Sequence, residues 1–239
     1  MLLLKTFGIS VINYEIRMKG INNKQVKELK TIFHDFLWDK KHPLVNRDTI
    51  ALPVTEGGLQ MINIENCIKI AQIKLINNLI RGDDETWTIL PKFWFSQVCP
   101  KINNEMFITI CSDIKDLNLT KIPTFYREAL ITWASLRGNR TIANISEILN
   151  ENLFCNENIK SHNKTLLFVN WQNSGISKIQ HIWDTDNNTW AEENTILEKL
   201  TDTNNWMAEY FSLKNAVPKI WKETLKSKQY ESNEKQLSI

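Results

Sequence analysis

Glycine is scarce, seven in 239 residues, and those present fall mostly at breaks between periodic segments. That scarcity disfavours a glycine-punctuated β-sandwich and favours helices joined by short turns. It also removes the phosphate-cradling glycine loop, and the chain has no G-x-S-x-G elbow and no H-E-x-x-H. Four cysteines (Cys67, Cys99, Cys111, Cys155) form no C-x-x-C pair, and the four histidines are scattered. A zinc knuckle, which needs closely spaced soft ligands, is excluded. The thiols are therefore expected as small core residues in a reduced, intracellular protein of the cytoplasm or nucleus. Long apolar runs are absent too. "MLLLKTFGISVI" is too short to span a bilayer and is broken by Lys5, so no membrane partner is expected.

What is present is an ordinary globular composition, 42% hydrophobic and 23% charged, with enough length to bury a core. Net charge is only +2, but it is unevenly spread. Residues 1–81 carry 12 Lys/Arg against 7 Asp/Glu, and the remainder carries 17 against 20. A basic front and a mildly acidic rear fit a polyanion-facing portion followed by a packing portion.

"INNKQVKELKTIFHDFLW" spaces Val26, Leu29, Phe33, Phe36 and Leu37 along one helical face, with Asn22 or Asn23 as the cap. Residues 59–80 predict a second helix, with Ile64, Ile68, Ala71 and Leu75 in one stripe, Asn63 at its start and Gly82 at its end. The pattern weakens from 83 to about 120, where prolines and aromatics mix in "WTILPKFWFSQVCPKINN". "PTFYREALITWASLRG" then predicts a helix whose buried stripe is Phe125, Ala129, Trp133 and Leu136. Short helix-length units follow, Gly175 fits a left-handed helix end and Pro218 opens the last helix. "LFCNENIKSHNKTLLF" has room for a small hairpin. The expected organisation is residues 1–82 as a basic front subdomain, 83–120 as a linker with short helices, 121–228 as a helical domain and 229–239 as a flexible tail.

Several constellations imitate a site. "DTDNNTWAEENT" supplies Asp184, Asp186 and Asn188 at the first three calcium-loop places, but Thr189 replaces the glycine and Thr195 the bidentate glutamate. The reading is a polar turn leading into a helix capped by Thr189. Asp83–Asp84 follows Gly82 in a turn, with no strand before it to hold a metal-binding pair rigid. No catalytic residue, metal ligand or cofactor is assigned. The connector after Trp38 is different. Lys40, Lys41, His42 and Arg47 bracket Pro43 directly after "FLW", whose side chains are expected to anchor the helix end in the core. Cations held on so short a leash suit contact with phosphates without reading sequence. The alternative is a solvated basic loop.

"FLWDKK" followed by "RDTIALPVTEGGLQMINIEN" resembles the segment after the polymerase core in non-LTR (LINE-type) retrotransposon reverse transcriptases. The places are Phe36 and Trp38, Lys40 and Lys41, a strand-like Thr49 to Leu52, Pro53, and Gly57-Gly58-Leu59. "LLKTFGISVINYEIRM" is similar to the family's helix entering its thumb. "FYREALITWASLR", "EILNENLFCNENI", "LLFVNWQNSGISKIQHIWD" and "MAEYFSLKNAVPKIWK" are similar to the helical region behind it. The resemblance covers nearly the whole chain.

It implies a mainly α fold, a helical thumb-like subdomain followed by a helical C-terminal domain with little β. It implies no catalysis by these residues, since the family's Y/F-A-D-D motif is absent from this sequence and lies upstream in the family. Asp83–Asp84 falls on the wrong side of "GGL" to be that pair. A thumb holds the template–primer through its backbone, which points to Lys40, Lys41, Arg47, Lys24, Lys27, Arg17 and Lys19. The implied partners are RNA, RNA–DNA or DNA duplex, bound weakly, and the upstream polymerase domain of the same polyprotein. Pro53, Gly57 and Gly58 are structural turn residues, the glycines permitting a tight turn or close backbone approach. A rival reading is a helical protein-interaction module, suggested by Trp171, Trp183, Trp190, Trp206 and Trp221, since tryptophans serve as interface anchors as well as core. An independent enzyme is the third.

Overall fold

The computed structural model describes residues 11–12, 15, 21–42, 44–82, 85–142 and 144–236, without the side chains of Arg47 and residues 228–236. Arg17, Lys19, Pro43 and Asp83–Asp84 lie outside the described residues. The fold is mainly α, with two antiparallel two-stranded hairpins among the described residues. The chain divides into two units, residues 1–83 with 123–132, and residues 84–122 with 133–239.

In the first unit, α1 (Asn23–Trp38) starts at a capping box: Asn22 Oδ1 accepts the Gln25 N–H, and Gln25 Oε1 accepts the Asn22 N–H. These reciprocal bonds satisfy amides the helix itself leaves unpaired. After the short α2 (Arg47–Ala51), α3 (Ile64–Arg81) is capped by Asn63 and stopped by Gly82 in the left-handed conformation. Val26 and Phe33 of α1 and Ile64 of α3 form a buried cluster. The Lys30–Glu65 pair, at 2.7 Å, joins the same two helices at the surface.

Three details differ from the periodicity. Phe36 is 57% exposed and does not anchor the helix end, while Leu37 and Trp38 are half-buried. Phe36 lies about 60° around the helix from Phe33, and Leu37 only about 40°. The buried stripe of α3 runs Ile64, Gln72, Ile76 and Leu79, one residue out of phase with Ala71 and Leu75. Thr49–Leu52 is not strand-like: α2 takes up Thr49 to Ala51, because the Asn46 side chain accepts the Asp48 N–H and starts a helical turn.

α4 (Ile89–Ser96) and α5 (Phe107–Ile110) open the second unit, with Pro91 in the first turn of α4, where a missing N–H costs nothing. α6 (Thr124–Gly138) gives its first nine residues to the first unit and the rest to the second. It buries Ala129, Leu130 and Ala134, while Leu136, expected in the core, is 51% exposed. α7 (Ile145–Asn150) is capped by Asn144, whose side-chain oxygen accepts the Glu147 N–H at 2.8 Å.

Next comes a stretch with no helical period, Glu151 to Asn156, every residue of it buried. Its backbone is paired outward, Leu153 N–H to the Ser177 carbonyl and Cys155 N–H to the Leu166 carbonyl. Asn156 Nδ2 donates to Glu151 Oε2 and to the Asn152 carbonyl, and Arg140 pairs with Glu151. Burial of these polar groups is tolerable because they satisfy one another.

β1 (Lys160–Ser161) and β2 (Lys164–Thr165) form the expected hairpin. His162 and Asn163 both have positive φ, the conformation of a two-residue primed turn. β3 (Trp183–Asp184) and β4 (Thr189–Trp190) form a second, unforeseen one. Thr189 is therefore a strand residue and caps no helix; the helix that follows, α9 (Glu193–Lys199), comes after α8 (Val169–Asn173) in chain order and has Glu192 at its cap. Asp184 closes the β3–β4 turn, accepting the Asp186 and Asn187 N–H groups. Trp183 and Trp190 face each other across the hairpin, ring centres 5.1 Å apart.

α10 (Trp206–Ala216) and α11 (Lys219–Gln236) complete the chain. Trp171 is wholly buried, stacked on Tyr210 at 6.0 Å, with its Nε1–H donated to Glu209 at 2.7 Å. Tyr210 donates in turn to the Ala191 carbonyl. Trp183 and Trp221 are buried as well, so three of the five rear tryptophans serve the core. All four cysteines are free thiols. Burial pushes Cys99 up to about 11 and Cys111 well above the ordinary thiol value, which keeps both protonated and unreactive.

Two outcomes test this account. Trp171→Ala should lower unfolding free energy by about 3–5 kcal/mol in urea titrations. Glu157 is held below the ordinary carboxylate value of 4.5, first by its hydrogen bond to Lys160. Its contribution is therefore present above that value and lost as pH falls through the lower folded one. Glu157→Gln should destabilise the protein at pH 7, and the difference from the parent should vanish in strong acid.

Candidate nucleic-acid interface

Lys24 and Lys27 sit three apart on α1, so they project from one face, and both are exposed. Neither makes an ion pair among the described residues. The helix ends in a left-handed turn made of two non-glycine residues, Asp39 (φ 49°) and Lys40 (φ 58°). The Asp39 and Lys40 N–H groups both reach the Asp35 carbonyl, and the Lys41 N–H reaches that of Trp38. These bonds, close to the half-buried Trp38, hold the two lysines at a fixed place on the chain. Lys41 Nζ is 3.6 Å from Asp39 Oδ2, but both side chains are at least 80% exposed. Solvent screening leaves such a pair little net strength. Arg47 is the first residue of α2. The structure therefore places Lys40, Lys41 and the Arg47 backbone in one connector, and Lys24 and Lys27 on the preceding helix.

The segment that follows, between α2 and α3, closes on itself through its backbone. The Ile50 carbonyl accepts N–H groups from Leu59 and Met61, both at 3.0 Å, and the Leu52 carbonyl accepts that of Gln60 at 2.9 Å. Pro53 precedes a 3₁₀ turn, Val54–Glu56, and its carbonyl accepts from Glu56 and Gly58. The two glycines answer different needs. Gly57 has φ +80° with open space around it, whereas a Cβ on Gly58 would lie 2.0 Å from the Leu52 carbonyl oxygen. One residue needs a left-handed backbone; the other needs to have no side chain.

A second feature of the first unit went unread in the sequence. A cavity of about 600 Å³ lies between the start of α1, the middle of α3 and the first half of α6. One lining residue is Gln72, only 8% exposed, whose Oε1 accepts the Thr132 hydroxyl at 2.7 Å. The available signal was a glutamine on the buried phase of an apolar helix. No group of three or more His, Cys, Asp or Glu among the described residues is arranged to hold a metal ion. No described helix is long and apolar enough to cross a membrane.

The connector geometry makes a graded prediction. Gly58→Ala must displace backbone and should cost about 1–3 kcal/mol. Gly57→Ala faces only the left-handed penalty and should cost about 1 kcal/mol. Urea unfolding of the two variants reads the order directly.

No family model matches the chain, and no solved structure matches it significantly. Over 203 residues it is 21% identical to the Transposon TX1 uncharacterized 149 kDa protein of Xenopus laevis. That alignment covers 83% of this chain and 15% of the frog protein, so the chain spans a small part of its relative's length. The similarity is to a transposon protein.

Proposed function

We propose that the chain is the thumb and following helical region of a LINE-type retrotransposon reverse transcriptase, and that it binds template–primer nucleic acid through the sugar–phosphate backbone without catalysing a reaction itself. The observation that carries this reading is the pair Lys40–Lys41, exposed on a hydrogen-bonded left-handed turn, with Arg47 following six residues later at the start of α2. Lys24 and Lys27 on α1 extend the cationic surface, and the similarity to a transposon protein supports the origin. Arg17 and Lys19, which lie outside the described residues, are proposed as further phosphate contacts on the strength of the resemblance alone. The binding is intracellular and sequence-independent, and in the parent polyprotein the catalytic aspartates reside in the polymerase domain that this region serves.

A second reading, a protein-interaction module, is favoured by exposed Met207 and Phe211 on α10 and Ile220 on α11. Recovery of a stoichiometric protein partner with no bound nucleic acid would support it.

The test of the first reading is Lys40→Ala, Lys41→Ala and Arg47→Ala combined, titrated against an RNA–DNA hybrid by fluorescence anisotropy over a range of potassium chloride. Each lost phosphate contact should flatten the log–log salt slope by about 0.9. Affinity at low salt should fall at least about tenfold. A triple variant that keeps the parent's slope and affinity sinks the assignment.

A further inference from the structure

The cavity in the first unit has a wall from each of three helices, and the residues that line it recur at helical spacing. α3 contributes Lys69 and Gln72, and α6 contributes Phe125, Glu128 and Thr132 at intervals of three and four. Gln72 is more than nine-tenths buried, and its carbonyl oxygen is engaged by Thr132. Its Nε2 keeps two hydrogens with no protein acceptor among the described residues, yet that atom is not among those sealed from solvent. It therefore opens into the cavity that Gln72 lines. A donor that opens into a cavity is met by water when the cavity is empty and is available to a ligand that displaces that water.

The surrounding groups narrow the class of ligand. Phe125 offers an aromatic face, and the buried Val26 an aliphatic one. Glu128 supplies an exposed carboxylate acceptor a single helical turn from Thr132. Glu65 (paired with Lys30), Glu128 and Lys69 line the cavity, so its charge is mixed and does not by itself single out a bare phosphate. A planar heterocycle can stack on Phe125, accept from Gln72 Nε2 through a ring nitrogen or carbonyl, and donate an amino hydrogen to Glu128. The volume falls within the range of about 300–1,000 Å³ usual for small-ligand clefts. Lys69 at the same cavity supplies a cation for an attached phosphate.

We infer that this cavity takes an unpaired nucleobase, with Gln72 and Glu128 reading its hydrogen-bonding edge and Phe125 its face. The inference rests on the reading that the first unit handles nucleic acid, and it adds a base-directed contact to a surface otherwise directed at phosphates. Stacking of single-stranded bases on aromatic side chains supports such contacts in other proteins.

The experiment is a nuclear magnetic resonance titration of the ¹⁵N-labelled full chain with guanosine 5′-monophosphate, and with ribose 5-phosphate as the base-free control. The nucleotide should shift the backbone amides of Phe125 and Thr132 and the Gln72 side-chain amide; ribose 5-phosphate should leave them in place. Gln72→Glu keeps an acceptor for Thr132 while removing the donor, and should weaken the nucleotide about tenfold. Glu128→Ala, a surface change, should weaken it similarly and decides the matter should Gln72→Glu fail to fold. Equal shifts with both ligands, no shift with the nucleotide, or unchanged affinity in Glu128→Ala overturns the inference. The hybrid titration of the Lys40, Lys41 and Arg47 variant is independent. Its failure with the nucleotide shifts intact sinks backbone binding alone, and the reverse pattern sinks the base pocket alone.

Discussion

The Ile50 carbonyl accepts N–H groups from both Leu59 and Met61, and this pair of bonds closes the connector between α2 and α3. Closure brings residue 58 so near the Leu52 carbonyl that only glycine fits. It also explains how a largely exposed stretch keeps a definite shape without much core of its own. Most of its backbone groups find partners within the stretch, so ordering depends on short loops whose closure entropy is small. Ile50, nearly fully buried, ties the loop inward. The lysines upstream are positioned by the same economy: a left-handed turn bonded to the last carbonyls of α1 substitutes for the aromatic anchor that Phe36 does not provide.

The second unit is organised around groups that lack helical period. Glu151 to Asn156 runs through the interior, and most of its buried polar groups are satisfied by one another, by Arg140 and by neighbouring backbone, Asn152 Oδ1 being the exception. A polar network of this kind is costly if broken and specific if complete. Trp171 joins the aromatic part of the core to the polar part, stacking on Tyr210 while donating to Glu209. The mildly acidic rear is accordingly a packing portion in which most indoles are consumed internally. The first unit differs in kind. Its helices leave a cavity lined by a largely buried glutamine whose oxygen is bonded to Thr132 and whose amide nitrogen has no protein acceptor among the described residues.

Local rules were legible in the residues. Asn22 and Asn63 as helix caps, Gly82 and Gly175 in the left-handed conformation, Pro218 before the last helix and the Val26–Phe33 stripe all follow from interactions spanning a few positions. Each is a statement about where a backbone amide finds its partner or which face a repeat presents, and neighbours in sequence decide both. The basic connector was legible for the same reason, as charge density next to a helix end.

Tertiary structure decided the rest. Whether Phe36 or Leu136 is covered depends on which other element reaches that flank, and periodicity alone cannot tell a buried flank from an exposed one. The Trp183–Trp190 hairpin needs two tryptophans seven residues apart to meet, and a turn closed by Asp184. The candidate base pocket depends on Gln72 meeting Thr132, sixty positions away. Pairings over such distances are set by how helices pack, a sum of many weak contacts that a single sequence does not display.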